Sequence, residues 1–388
     1  MLRYRLAYAF ALAGAVLFYL FFNGYLALFL LIFAVVFPLV SVLIAFLARR
    51  GVTLDPEPSA PSCNKDVPFA LRLCIRNRSF LPLTTARITV CCRNILTGAA
   101  QEDTFRLPIP PRADLSMDRM FTSRYCGKMS YTVTGAICYD FLGLVSFRLP
   151  AGQEADFFVL PTVHAVSVQS GASSLPGTDS TTFSKYKPGD DPSEIFDIRP
   201  YRSGDRPRSI HWKLSSKLDD LMVKEFSLPT DSSLLLMADL TGTDSAAIDT
   251  AVETFASLSH DLLEQQIFHT ASYYDADTDS YCEQEISSEE ELAYTLNILL
   301  SRPVQTEPRA LRAFRTLMEI TQKKPRIVYI TSSLFLEESS SLAGEANGIT
   351  VLHTAAAEAV PDLSGSENFR VIPVAPGKME ASLSGLTL

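Results

Sequence analysis

Arg199, Asp205, Arg208, His211 and Lys213 fall within one short stretch of the chain, and side chains of these types can do acid–base chemistry. Their spacing does not give a Ser/Cys–His–acid arrangement, however, so no nucleophile is activated by this pattern alone. A structural or docking role is the simpler expectation. Gly204 permits a tight turn, and Asp205 accepts hydrogen bonds from nearby backbone N–H groups. Arg199 and Arg208 pair with acidic neighbours, Tyr201 adds an aromatic ring, and Trp212, the only tryptophan, packs across a junction between modules. From Thr181 to Pro229 there are nine basic and eight acidic residues, and nine minus eight leaves +1. A balance so even describes a self-paired surface rather than a polyanion site.

This stretch is unlike a Ser/Gly/Pro linker, because it is dense in charge, turns and aromatic residues. Two similar turns punctuate it, Tyr186–Asp190 and Tyr201–Asp205. It lies between two segments that each read as a folded module. With 388 residues the chain has room for two or three domains. Its net charge of −9 argues against a nucleic-acid partner, which normally meets a basic face. Seven cysteines, an odd number without a CxxC pair, predict buried thiols in a reducing compartment, with neither a disulfide framework nor a structural zinc site.

Residues 6–22 and 25–47 are apolar almost throughout, and Asn23-Gly24 marks a turn between them. At 1.5 Å rise per residue, roughly 20 residues cross a hydrocarbon core of about 30 Å. The first 50 residues are thus expected to form a transmembrane hairpin, with Pro38 inside the second run, where a kink is tolerated. A signal peptide is disfavoured, since a second long apolar run follows at once and no small-residue cleavage site precedes Tyr25. Arg3 and Arg5 before the hairpin and Arg49 and Arg50 after it place both flanks, and hence the soluble modules, in the cytoplasm.

Pro56, Pro58 and Pro61 suggest a stiff exit from the membrane. Beyond it, Phe69–Asn77 and Ala86–Cys92 alternate with period two, and 116–125, 129–138 and 157–160 are further strand candidates. Short strands without helices predict a β-sandwich over 51–160. Residues 161–228 carry the charged stretch. From 229 onward the pattern changes to α/β. The apolar run at 232–239 reads as a strand buried on both faces, followed by a helix from Ser245 to Gln266. Strands are predicted at 267–274, 326–331, 349–354 and 370–374, with helices at 289–302 and 308–322. Alternating strands and helices make a mostly parallel, doubly wound sheet. Ligands of such sheets bind at the carboxyl ends of strands, which directs attention to Asp239–Asp244 and Thr331–Ser333.

The segment from Glu194 to Lys213 resembles the signature of the domain-of-unknown-function 58 family. Its hallmark is Arg, Tyr, Gly-Asp, Arg and Ile-x-Trp-Lys at fixed spacing. Arg199, Tyr201, Gly204, Asp205, Arg208, Ile210, Trp212 and Lys213 fill those positions. Leu221–Phe226 is similar to the strand that follows in the family. At Ser215-Ser216-Lys217 many members have a small pair and then Arg; Lys keeps the charge but loses the bidentate fork. The resemblance implies a multidomain chain: transmembrane hairpin, β-sandwich, signature, and a von Willebrand factor A-like domain over 229–388. It also implies work beside a MoxR-type AAA+ ATPase, and a transglutaminase-like membrane protein, in assembly or maintenance of envelope or other protein complexes. The leading expectation is therefore a non-enzymatic, membrane-anchored cytoplasmic scaffold.

An A-type domain further implies a metal-ion-dependent adhesion site, Asp-x-Ser-x-Ser after the first strand. Asp239, Thr241 and Thr243 occupy those positions, and Mg²⁺ would take their carboxylate and hydroxyl oxygens. The Asp expected after a later strand is replaced by Thr331-Ser332-Ser333, so affinity for the cation should be poor. A metal-dependent binding protein or envelope enzyme using this site is the alternative function. The simpler role for Asp239 and its hydroxyl neighbours is capping the loop and the helix near Ser245.

Overall fold

A computed structural model describes residues 2–22, 24–166, 183–189, 191–202, 205–218, 220–229, 234–275, 278–321, 325–343, 346, 348–354, 369–383 and 386. The chain divides into two compact units, Met1–Thr162 with Leu296–Val304, and Val163–Thr295 with Gln305–Leu388.

The first unit opens with α1 (Leu2–Phe21) and α2 (Tyr25–Ala48), both long and apolar enough to cross a membrane. They lie side by side, with the Tyr8 hydroxyl donating to the Ala34 carbonyl. Nine strands follow: β1 (Val52–Pro58), β2 (Ser62–Asn64), β3 (Phe69–Asn77), β4 (Leu83–Asn94), β5 (Ala100–Ile109), β6 (Asp114–Phe121), β7 (Gly127–Tyr139), β8 (Ser146–Arg148) and β9 (Ala155–Leu160). One sheet has the order β1-β3-β6. The other runs β2-β9-β7-β4-β5, with β8 pairing to β7. Both contribute to one core, which includes Leu71, Leu73 and Ile75 of β3, Ile88 and Val90 of β4, and Phe157 and Val159 of β9. The alternation in Phe69–Asn77 gives buried residues at every second position, as period two requires. Pro56 and Pro58 are not a bare exit from the membrane; they lie within β1. That strand is at a sheet edge, where a missing N–H costs no ladder bond. The strand β5 has no apolar run to announce it, because it is also an edge strand with few buried residues.

The second unit begins with a small antiparallel sheet of order β10-β12-β11, formed by β10 (Phe183–Gly189), β11 (Asp191–Pro200) and β12 (Met222–Pro229). Only β12 is apparent in the sequence. Register irregularities in both pairings interrupt the alternation that would otherwise reveal its partners. A short helix, α3 (Trp212–Leu218), precedes β12.

The main sheet follows: β13 (Leu234–Asp239), α4 (Ser245–Glu264), β14 (His269–Asp275), β15 (Ser280–Ile286), α5 (Glu289–Ser301), α6 (Arg309–Thr321), β16 (Arg326–Thr331), α7 (Leu336–Ala343), β17 (Ile349–His353), β18 (Phe369–Pro373) and α8 (Met379–Leu383). Its order is β15-β14-β13-β16-β17-β18. All neighbours are parallel except β15, an antiparallel edge strand. Every residue of β13 is buried, as its unbroken apolar run predicts. Leu235 and Met237 share a core with Ile327, Tyr329 and Val351 and with Leu311, Phe314 and Met318 of α6. By alternation Leu236 and Ala238 turn to the other face, and α4 contacts β13 and β16. The expected strands and helices of this module recur with ends shifted by a residue or two. β15, with Glu283 and Glu285 on an edge, was not foreseen, nor was the Ser- and Glu-rich α7.

Candidate functional site

The signature residues divide into an inner ion-paired cluster and an outer exposed group. Arg199 closes β11 opposite Val223 of β12, and Glu225 lies two residues along β12 from Val223. Its Nη1 and Nη2 donate to the two carboxylate oxygens of Asp205 at 2.7 and 2.8 Å, and its Nε donates to Glu225 Oε1 at 2.6 Å. The Arg202 backbone N–H also donates to Asp205, at 2.7 Å. One guanidinium thus joins two strands and the turn between β11 and α3, using the planar fork that lysine lacks. The Arg199 guanidinium, with help from the Arg202 N–H, holds the Asp205 carboxyl at about 2. An acid so low makes a poor general base near neutral pH.

This arrangement carries a direct prediction. In Arg199→Gln the fork is lost, and the Asp205 carboxyl should rise from about 2 toward its ordinary 3.8. Carbon-13 NMR of the side-chain carboxyl across pH checks it. Because the folded-state value is depressed, the stability drawn from the pair is present above pH 3.8 and is lost as pH falls through about 2.

His211 stands just before α3. Its Nδ1 accepts from the Leu214 N–H at 3.2 Å, the contact of an N-cap. The buried Ser215 hydroxyl accepts from the Met222 N–H at 2.9 Å and donates to the His211 carbonyl, holding α3 against β12. The neutral pair Ser215-Ser216 therefore has a specific use at its first position. Trp212 does not pack as expected. It is the first residue of a two-turn helix lying on a small sheet, and 66% of it is exposed. Tyr201, Arg208 and Lys213 are exposed as well. The expected ion pair of Arg208 is not found among the described residues, and the carboxylates Asp205 and Glu225 both serve Arg199. Gly204 lies outside the described residues.

Glu225 is the functional partner that sequence reasoning did not single out. Only the β11–β12 register brings it to Arg199, across 26 residues.

The strand-end residues take different surroundings. Asp239 ends β13 and is 3% exposed. The Tyr329 hydroxyl donates to its Oδ2 at 3.2 Å, and the backbone N–H of Leu311, in the first turn of α6, favours the charged form of the carboxyl. First-turn N–H groups have no partner inside their own helix, so their dipoles favour a nearby anion. Burial nevertheless outweighs these donors and pushes Asp239 up to about 7. Thr241 is fully buried, its Oγ1 3.3 Å from that of Thr331. Its carbonyl accepts from Ser332 and Ser333. Thr243 is exposed on the loop. The cap of α4 is not Asp239 but Asp244, whose side chain accepts from the Ala246 N–H at 3.0 Å.

This donor set fits Mg²⁺ poorly. It offers one carboxyl that is largely neutral below pH 7, one buried hydroxyl already engaged and one hydroxyl facing away into solvent. No cluster of three His, Cys, Asp or Glu is found among the described residues. The loop itself is tight. Gly242 has φ +107°, and a Cβ there would meet Ser333 Oγ at 2.7 Å. Gly242→Ala should therefore cost about 1–3 kcal/mol of stability, measured by chemical unfolding.

Both clusters fall inside one family match. Residues 197–338 fit the family described as "Protein of unknown function DUF58". The match to the DUF58 family is confined to this segment. The DUF58 segment runs from the last residues of β11 into α7, and so contains Arg199, Asp205, Glu225, Asp239 and Tyr329. The N-terminal helices and the β-sandwich lie outside it. No curated protein matches the chain significantly.

Solved structures similar to parts of the chain include the alkylpurine DNA glycosylase AlkC of Pseudomonas fluorescens, at 12% identity and a TM-score of 0.21. The match covers 34% of this chain and 38% of that one. A CARDB domain from Pyrococcus furiosus aligns at 13% identity over 28% of this chain and 83% of its own, with a TM-score of 0.20. A cohesin module from a Clostridium perfringens glycoside hydrolase aligns at 10% identity, covering 28% and 96%, also at 0.20. Likenesses this weak carry no argument about activity.

Proposed function

We propose that this DUF58 protein is a membrane-anchored scaffold or adaptor whose signature docks a protein partner. The observation that carries the reading is the division of the signature. An ion-paired base of Arg199, Asp205 and Glu225 orders the turn, while Tyr201, Arg208, Trp212 and Lys213 of the same signature are left exposed. Tryptophan, tyrosine and arginine are the residues that most often dominate protein–protein binding energy. A tryptophan two-thirds exposed at a helix start has little to contribute to its own fold. The arrangement offers no activated nucleophile: Asp205 is held as a salt-bridged anion, and Ser215 is committed to backbone groups.

In this reading the two N-terminal helices span the bilayer. Arg3, Arg5, Arg49 and Arg50 keep the soluble units on the cytoplasmic side. The parallel sheet with its flanking helices is of the von Willebrand factor A-like kind. The partner is a MoxR-type AAA+ ATPase or its client, with a transglutaminase-like membrane protein as a further member of the assembly. The test is crosslinking in intact membranes from a photoreactive residue at position 208, followed by identification of what is attached. An AAA+ ATPase or envelope-complex subunit among the adducts supports the reading; adducts confined to lipid or to the chain itself sink it.

A further inference from the structure

The turn between β7 and β8 does something unusual for a loop of a soluble domain: it lies against the apolar N-terminal helices. Asp140, at the start of the turn, is 2% exposed. Its Oδ1 accepts from the Val145 N–H at 2.7 Å and its Oδ2 from the Leu142 N–H at 3.2 Å. Ser41 of α2 joins them from the other side. Its hydroxyl donates to Asp140 Oδ2 at 3.3 Å and accepts from the Phe141 N–H at 2.8 Å. Arg5 of α1 donates through Nε to the Leu144 carbonyl at 2.9 Å. The Phe37 and Phe141 rings meet edge to face, with centroids 6.1 Å apart. Despite these contacts, Phe141 is 68% exposed.

The depth of this contact is decisive. A helix beginning at Tyr25 reaches Phe37 after about 18 Å and Ser41 after about 24 Å. Both distances fall short of the ~30 Å of a hydrocarbon core. A hairpin whose turn lies at the far surface therefore holds this loop at or just inside the near boundary of the bilayer. Non-helical backbone is tolerated at such depth only when its polar groups have partners within the protein. Here five of the six N–H groups from Asp140 to Val145 do: those of Phe141, Leu142 and Val145 bond to Ser41 or to the Asp140 carboxylate. Those of Asp140 and Gly143 bond to the Val145 and Asp140 carbonyls. The segment Phe141-Leu142-Gly143-Leu144 itself carries no charge.

We propose that Phe141–Leu144 is a third membrane-contacting element, which inserts the Phe141 ring at the boundary between acyl chains and headgroups and is latched to α2 by Ser41 and Asp140. This rests on the reading of the two helices as bilayer-spanning. The occupant of the exposed face is lipid, because the helices that flank the loop face lipid at the same level. The latch fixes the β-sandwich relative to the two helices, so that it cannot swing freely on residues 49–51.

The test uses the full chain in nanodiscs of phosphatidylcholine, with and without brominated acyl chains. The wild-type chain, with Trp212 as its only tryptophan, supplies the background emission. Phe10→Trp, in the middle of α1, reports whether the hairpin is in the bilayer, and Phe141→Trp reports the loop. The expected result is that the added emission of both variants is blue-shifted and is mostly lost to brominated lipid, while iodide has little effect on either. Quenching of the Phe10→Trp indole alone, with an iodide-accessible indole at 141, overturns the loop insertion and leaves the hairpin intact. No quenching at either position overturns the membrane reading and the insertion together. A benzophenone amino acid at 141 gives an independent readout that does not depend on an indole fitting the site: lipid adducts support the proposal, and adducts to protein alone overturn it.

Discussion

Replacing Asp239 by Asn should flatten the pH dependence of unfolding between about pH 4 and 7. The wild-type carboxyl sits near 7 in the folded chain, against an ordinary value of 3.8. Between these two values the folded state binds a proton that the unfolded state has released. Stability from this group is therefore fully present below pH 3.8 and falls as pH rises through about 7. The gap corresponds to on the order of 4 kcal/mol at full separation. Asn cannot ionise, so thermal unfolding midpoints in detergent should decline across this window for the wild type and not for Asp239→Asn. Above pH 7 the variant should be the more stable chain. Asp239→Ala tests the other half of the account. It leaves the Tyr329 hydroxyl without its acceptor and should cost about 1–3 kcal/mol below pH 4, a cost that shrinks as pH rises toward 7 because only the wild type loses stability there. A metal site predicts the reverse pattern. Were Asp239 an ionised ligand, the wild-type midpoint would rise with pH and with added Mg²⁺, and that outcome would overturn the dry-carboxyl account.

Trp212→Ala should abolish capture of the docking partner while leaving the fold unchanged. A side chain 66% exposed contributes little to stability, so the unfolding midpoint should match that of the wild type. Loss of a central aromatic anchor costs about 2 kcal/mol or more in binding, roughly 30-fold in affinity. The measurement is retention of the crosslinked partner from membrane extracts, with Arg208→Ala and Lys213→Ala as companions at the other exposed signature residues. Equal retention by wild type and Trp212→Ala, at matched expression, would remove the signature surface as the docking site. A lowered midpoint in Trp212→Ala would instead return the tryptophan to a structural role.

Much of this architecture is legible in the chain because it follows from local pattern. Two apolar runs separated by Asn23-Gly24 read as paired helices without further information. The alternation in Phe69–Asn77 and the unbroken apolar runs at Leu234–Asp239 and Arg326–Thr331 determine strand identity, since their periods report burial on one face or on two. Four of the strands that escape prediction share a cause. The strands β5 and β15 are edge strands with polar or charged faces, and β10 and β11 pair through irregular registers, so none has a clean period. Pro56 and Pro58 read as a break for the same reason: an edge strand tolerates residues that a central one rejects.

The candidate site divides along the same line. The Arg–Tyr–Gly-Asp–Arg–Ile-x-Trp-Lys spacing is a property of the sequence, and it marks Arg199 through Lys213 as one unit with mixed, nearly balanced charge. Which of those charges turn inward is decided by tertiary structure. The β11–β12 register delivers Glu225 to Arg199, so that Asp205 and Glu225 share that guanidinium, while Arg208, Trp212 and Lys213 remain exposed. Likewise the sequence places Asp239, Thr241 and Thr243 at alternating positions after a strand, as a cation site would have them. The folded chain turns Asp239 into the interface with α6 and Tyr329, buries Thr241 against Thr331, and leaves Thr243 in solvent. Spacing along a chain sets which side chains can meet. Only packing sets which of them lose water, and for a carboxyl that loss decides whether it is a charge or a neutral acid.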